Sequence, residues 1–288
     1  MLKKRIVGML VIKGGIVVQS SRFKHYLPIG RPEVATEFLN QWGIDEIILL
    51  DITATLEGRT PDFQMIRRVS SFCQVPLTVG GGIHSIDDVI ELMRSGADKV
   101  AFNNAILENP LLLNEAAKKF GQQAVVASID CSLTKAGYRV FNYTNKKTLD
   151  MTPAELAHKI QGYGAGEVLI NSVDRDGSFL GFDIGLIKDV CESVDIPVIC
   201  CGGAGKAEHF TGAFEDTSVS AVAAANYFHF TEHSVAIAKS LINKHIQIRH
   251  DVDIEYNNSK FDANNRLLKK DEKELEEMLY IKIEKEII

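Results

Sequence analysis

No Cys-x-x-Cys pair occurs in this chain, and its five cysteines, Cys73, Cys131, Cys191, Cys200 and Cys201, are an odd number. That argues against both a disulfide framework and a thiolate zinc site, and makes the cytoplasm the expected compartment. No histidine pair has the spacing and acidic companion of a metal motif, so neither a metal nor a cofactor is expected. Basic charge is short as well: 32 Lys and Arg stand against 38 Asp and Glu. A nucleic-acid surface needs clustered cations to neutralise phosphates, and Lys3, Lys4 and Arg5 are too few. The N-terminal charges lead into no secretory apolar core and cleavage pattern, and neither a membrane nor a nucleic acid is an expected partner.

What is present is an internal repeat. Leu77-Thr-Val-Gly-Gly-Gly-Ile83 recurs as Val198-Ile-Cys-Cys-Gly-Gly-Ala204, 121 residues on, and Lys99-Val-Ala-Phe-Asn-Asn104 as Ala221-Val-Ala-Ala-Ala-Asn226, 122 residues on. Two matches at offsets that differ by one residue point to a duplicated half. A hydrophobic content of 45% over 288 residues suits one large α/β domain with a substantial core. Short apolar runs alternate with helical periods, and eight of them read as parallel strands: 6–12, 46–52, 76–79, 99–102, 124–129, 167–172, 197–201 and 221–225. Eight strands close a (β/α)8 TIM barrel, here built from two half-barrel repeats. Ser85 with Asp88 and Thr152 with Glu155 have capping-box spacing, and Pro153 suits a first helical position.

In such a barrel the functional groups sit on loops after the carboxyl ends of strands. Asp51, Gly80 to Gly82, Asn103, Asp130, Asp174, Asp176 and Gly202 to Gly205 all fall there. Glycines after a strand let the backbone approach an anion, and a following helix adds free N–H groups, so the paired repeat predicts two phosphate-sized sites. The alternative is that these glycines only relieve crowding at barrel corners. Asp130 reads as a functional carboxylate at the mouth or as a loop cap. Asp176, in Asp174-Arg-Asp-Gly177, reads as a substrate contact or as part of a turn. His229, between Phe228 and Phe230, reads as a packed side chain.

These residues carry a specific resemblance. Leu50-Asp-Ile-Thr-Ala54, Val79-Gly-Gly-Gly-Ile-His84, Gly96-Ala-Asp-Lys-Val100, Ser172-Val-Asp-Arg-Asp-Gly177 and Gly202-Gly-Ala-Gly-Lys206 occur in order and at family-like spacing. The chain resembles the cyclase subunit of imidazole glycerol phosphate synthase over residues 1 to about 248. The resemblance implies a barrel that takes ammonia from a glutaminase subunit docked at its amino-terminal face and uses it at the opposite face. It implies an ammonia gate of Arg5, Glu46, Lys99 and Glu167, for which a structural salt-bridge ring is the alternative, and it places Asp98 at the glutaminase interface. A phosphorylated small-molecule ligand is implied at Gly82, Asn103, Asn104, Asp176, Gly177, Gly203, Ala225 and Asn226.

The family uses two aspartates, at the ends of the first and fifth barrel strands, for acid–base work. Here Asp130 stands at the second position and Val11 at the first. Losing one general acid–base group costs on the order of 10² to 10⁴ in rate. Gln19 stands where the family carries a lysine, with Arg22 as a candidate substitute, and Asn104 and Asn226 stand where small hydroxyl residues are common.

An entry side kept and a reaction side altered resembles the second-copy synthase subunits of surface-polysaccharide pathways, which work beside a sugar amidotransferase. Ammonia delivery to an amidated or amidinated sugar is therefore the leading expectation. The alternatives are an authentic histidine-biosynthesis cyclase working on Asp130, with Asp176 or Asp51, and a catalytically dead scaffold or regulator. Residues 249–288 read as a charged, partly helical C-terminal extension, in which Leu267, Leu268, Leu275 and Leu279 can form a stripe.

Overall fold

The computed structural model describes residues 3–229, 233–243, 246–249 and 268. Its strands, in chain order, are β1 (Arg5–Lys13), β2 (Ile16–Ser21), β3 (His25–Gly30), β4 (Glu46–Asp51), β5 (Leu77–Gly80), β6 (Lys99–Phe102), β7 (Val125–Thr134), β8 (Gly137–Asn142), β9 (Lys147–Thr148), β10 (Glu167–Ser172), β11 (Val198–Cys201) and β12 (Ala221–Ala224). The helices are α1 (Pro32–Gln41), α2 (Phe63–Phe72), α3 (Ile86–Arg94), α4 (Asn104–Glu108), α5 (Leu111–Phe120), α6 (Pro153–Gly162), α7 (Ile184–Ser193), α8 (Ala207–Asp216) and α9 (Ser234–Ile242).

Strands β1, β4, β5, β6, β7, β10, β11 and β12 pair in that order, all parallel, and β12 returns to β1 through Arg5 opposite Ala221. This is a closed (β/α)8 barrel. The eight strands read from the sequence agree within one residue at each end, except that β7 runs on to Thr134. There it turns back into β8 by antiparallel pairing, Cys131 opposite Val140. In the same way β1 turns into β2 and β3. The segment after the first strand, expected as a loop, is thus a β-hairpin, as is the segment after the fifth.

Strand alternation divides β1 between two cores. Ile6, Leu10 and Ile12 face the helices, while Val7, Met9 and Val11 face the barrel interior. The interior layer is completed by Ile48, Ala101, Val126, Leu169, Ile199, Ala221 and Ala223. The expected capping boxes form: Ser85 accepts from Asp88 N–H and Thr152 from Glu155 N–H, with both acids reciprocating. Pro153 opens α6.

The chain's return to the barrel foot is also defined. Lys4 N–H donates to Gln247 O at 3.3 Å and Arg249 N–H to Lys4 O at 3.1 Å, so the extension starts at the foot of β1. Leu268 is exposed; the rest of the expected helical stripe, Leu267, Leu275 and Leu279, lies outside the described residues, as does Phe230.

Candidate active site at the barrel mouth and the ionic ring at its foot

The two ends of the barrel differ in chemistry. At the foot, Arg5 bonds Glu46 at 2.6 Å and also bonds Glu167, while Lys99 bonds Glu46 at 2.8 Å and Glu167 at 2.9 Å. Each cation bridges both acids, so the four side chains close a ring. Thr78, fully buried, donates to Glu46 at 3.0 Å and joins the same network. Asp98 is exposed at this end and is tied to β5 in both directions, accepting from Leu77 N–H at 2.8 Å and donating its own N–H to Leu77 O.

At the mouth, Asp130 near the middle of β7 is almost wholly buried between two amides. Asn103 Nδ2 donates to one carboxylate oxygen at 3.0 Å and Asn171 Nδ2 to the other at 3.3 Å. Burial pushes the Asp130 carboxyl up to about 7, against the two amides, which favour the charged form; the nearby Asp176 adds to the rise. A carboxyl that titrates near neutrality can both give and take a proton at working pH.

The other mouth carboxylates are committed elsewhere. Asp51 accepts from Thr53 N–H and hydroxyl, from Ala54 N–H and from Arg59 at 2.7 Å. Asp176 accepts from Ser20 Oγ at 2.6 Å and Phe23 N–H at 3.2 Å, and its carbonyl accepts from Arg22 N–H. Arg22 and Phe23 both adopt left-handed φ, 52° and 55°, so Asp176 pins a strained turn at the tip of the β2–β3 hairpin. Burial raises the Asp176 carboxyl as well. Gly177 lies directly under Ser20 and Ser21. Asp174 accepts from Ser132 Oγ and Leu133 N–H, holding β7 to the loop after β10.

Opposite Asp130 the wall is apolar. Val11 packs with Met9, Val18 and Cys201, and Tyr26, Leu50, Ile52 and Ala225 pack onto them. Gln19 lies opposite Leu27 in the hairpin register, on the face away from Ser20 and Tyr26. Arg22 is exposed.

Beyond the ends of β5 and β6 is a cavity of about 90 Å³ lined by residues including Thr55, Gly82, Asn103, Asn104 and Tyr143. It joins the first glycine loop to the start of α4. The second copy of the loop is arranged alike, because a Cβ at Gly81 would stand 2.1 Å from Asp51 O and one at its counterpart Gly202 2.7 Å from Ser172 O. With φ of 106° and 98°, both positions need glycine simply to let successive βα loops pack. Crowding therefore explains these glycines without a ligand, and the phosphate reading leans on the cavity and its amides. Asn226 differs from its counterpart Asn104: its amide donates to Ser20 O at 2.6 Å and accepts from Ser20 N–H at 3.2 Å, so the side chain splices β2 to the end of β12.

The profile of the histidine biosynthesis protein family matches residues 5–234. The chain belongs to this family, on its HisF side. It is 41% identical over 246 residues to an imidazole glycerol phosphate synthase subunit HisF of Clostridium botulinum, covering 85% of this chain and 97% of that one. It is 40% identical over 245 residues to a HisF of a Thermotoga species, covering 85% and 96%. A Vibrio vulnificus protein that provisionally carries the name imidazole glycerol phosphate synthase subunit hisF2 is 39% identical over 263 residues, covering 91% and 97%. That alignment is longer than the 248 residues of the expected barrel and so runs into the C-terminal extension.

Within this HisF-type barrel, several site neighbours escaped the sequence reading: Asn171, Thr78, Ser20, Tyr26, Tyr143 and Arg59. Asn171 precedes the Ser172 motif and could have been found by strand alternation, since it lies opposite Asp130 in register. The hairpin residues gave no such signal, because their placement depends on the Asp176 contact. All five cysteines are free, and Cys200 and Cys201 are buried. Burial pushes the His229 imidazole down to about 4, which keeps it neutral. Among the described residues no acidic, His or Cys cluster is able to hold a metal, and no helix is long and apolar enough to cross a membrane.

Proposed function

We propose that this chain is an ammonia-channelling synthase subunit that works with a glutaminase seated on the barrel foot, and that it has diverged to supply ammonia for amidation or amidination of a sugar in surface-polysaccharide synthesis. The carrying observation is the contrast between the two ends: the Arg5–Glu46–Lys99–Glu167 ring is complete, while position 11 is a valine in a hydrocarbon wall. A closed ring passes a small neutral molecule only by opening, which is the behaviour of a gate. Above it the interior holds the apolar side chains of Val7, Met9, Ile48, Ala101, Val126, Leu169, Ile199 and Ala223, with the buried Ser128 on the same face of β7 as Val126.

Two further observations support this reading. The relative named hisF2 aligns into the C-terminal extension. The βα segments around the mouth expose Leu27, Leu56, Leu133 and Leu180, from 55% to 72% accessible, which suits a sugar amidotransferase docking where ammonia emerges. In this scheme Asp130 and the cavity at Gly82, Asn103 and Asn104 hold a phosphorylated ligand, with the second cradle at Asp176, Gly177, Gly203, Ala225 and Asn226, and Asp98 meets the glutaminase. Arg249, with which the 249–288 extension begins, is bonded to Lys4 at the foot.

A second reading, an authentic cyclase, draws on the Asp130 carboxyl, whose position near neutrality fits proton transfer. The deciding experiment is ammonia-dependent turnover of aminoimidazole ribonucleotide substrate by the purified chain, with Val11→Asp alongside. The expected result is no wild-type turnover, with activity appearing in Val11→Asp. Robust wild-type turnover would refute the divergence and leave the cyclase.

A further inference from the structure

We propose that Tyr26 is a ligand-binding residue of the mouth, its phenol hydroxyl donating a hydrogen bond to an oxygen of a phosphorylated, hydroxyl-bearing small molecule that is held on its other side by Asp130. The inference rests on the reading of the mouth as a phosphate-ligand site and adds the group that faces the ligand from the β1 side.

The position of Tyr26 follows from the hairpin. In the β2–β3 register Tyr26 lies opposite Ser20, whose side chain turns inward to Asp176, so Tyr26 shares the inward face. Its ring packs onto the interior cluster that contains Val11 and Val18, and Lys13 Nζ stands 4.3 Å from the ring centroid. A cation over the face of the ring fixes its orientation.

The chemistry around the hydroxyl is one-sided. Val11, Val18, Leu50, Ile52 and Ala225 are hydrocarbon, so a ligand oxygen turned to this wall finds its donor at Tyr26. Among the described residues the hydroxyl has no hydrogen-bond partner, yet it lies within electrostatic reach of Asp176 and Asp130. Burial first, and then these two carboxylates, push its pKa upward, so the group is a neutral donor at physiological pH. Asp130, an acceptor when ionised, faces the opposite side. A molecule bearing both a donor hydroxyl and an acceptor oxygen, with its phosphate in the cavity beside Gly82 and Asn104, satisfies all three groups.

The test is calorimetric titration of the full chain with ribose 5-phosphate and, separately, inorganic phosphate, comparing wild type with Tyr26→Phe and Tyr26→Ala. Tyr26→Phe keeps the ring, its packing and the Lys13 contact and removes only the hydroxyl. The expected result is about tenfold weaker ribose 5-phosphate binding in Tyr26→Phe, with phosphate affinity and melting temperature unchanged. Equal ribose 5-phosphate affinity in wild type and Tyr26→Phe overturns the proposal, as does a wild type that binds ribose 5-phosphate no more tightly than phosphate. Binding of neither probe by wild type would instead bring down the reading of the mouth as a phosphate site, and this inference with it.

Discussion

Asp130→Asn is expected to change stability with a sign that depends on pH. The folded carboxyl titrates at about 7 against an ordinary value of 3.8. Because the folded chain holds the proton more tightly than the unfolded chain, the side chain costs nothing below about pH 4, increasingly more up to pH 7, and a constant amount above it. At about 1.4 kcal/mol per unit, the rise from 3.8 to about 7 corresponds to about 4 kcal/mol. Asparagine abolishes that cost but is not a perfect replacement. Asn103 and Asn171 both donate through Nδ2 to Asp130, so one of them would meet the new amide's own N–H₂, a mismatch worth about 1–3 kcal/mol. The net expectation is a variant more stable than wild type by about 1–3 kcal/mol at pH 8, where each kcal/mol raises the melting temperature by about 2–4 °C. At pH 5 most of the gain is absent and the mismatch remains, so the variant should be no more stable than wild type. Thermal unfolding followed by circular dichroism at pH 5, 6, 7 and 8 measures the difference directly. A difference that is flat across that range, or that shrinks as pH rises, would show that burial does not hold the proton on Asp130.

Two other perturbations probe the ring and the hairpin. Lys99→Met leaves Glu46 and Glu167 with Arg5 as their remaining ring cation, and breaking a buried pair in this way should cost about 3–5 kcal/mol, read as a lower urea midpoint. Asp176→Ala removes the acceptor for Ser20 Oγ and Phe23 N–H; losing these bonds should open the hairpin about tenfold more often, read as faster trypsin cleavage after Arg22 and Lys24.

The barrel was legible because its evidence is local. Each strand is a short apolar run, and the glycine loops repeat at one offset, so pattern and symmetry together fix eight strands and two halves. The hairpins after β1 and β7 were missed because 16–30 and 137–148 fall where the barrel pattern places loops, and the way they fold back onto the mouth depends on contacts far away in sequence. Asp176, for example, reaches Ser20 across 156 residues. The ring at the foot was expected from the family resemblance; its closure, with both cations bonded to both acids and Thr78 added, comes from five strands converging.

The sequence by itself determined the fold, the order of the loops at the mouth, and the absence of an acid at position 11. Those follow from residue type and spacing, which the backbone's period of two converts into inward and outward faces. Only the tertiary structure decided what each carboxylate does. Asp51, Asp130 and Asp176 all fall at the mouth in the sequence, yet Asp51 and Asp176 are bound up by turn N–H groups and hydroxyls, whereas Asp130 is set between two amides where burial raises its carboxyl to about 7. Protonation depends on burial and on partners brought together by barrel closure, and no local stretch of sequence contains either.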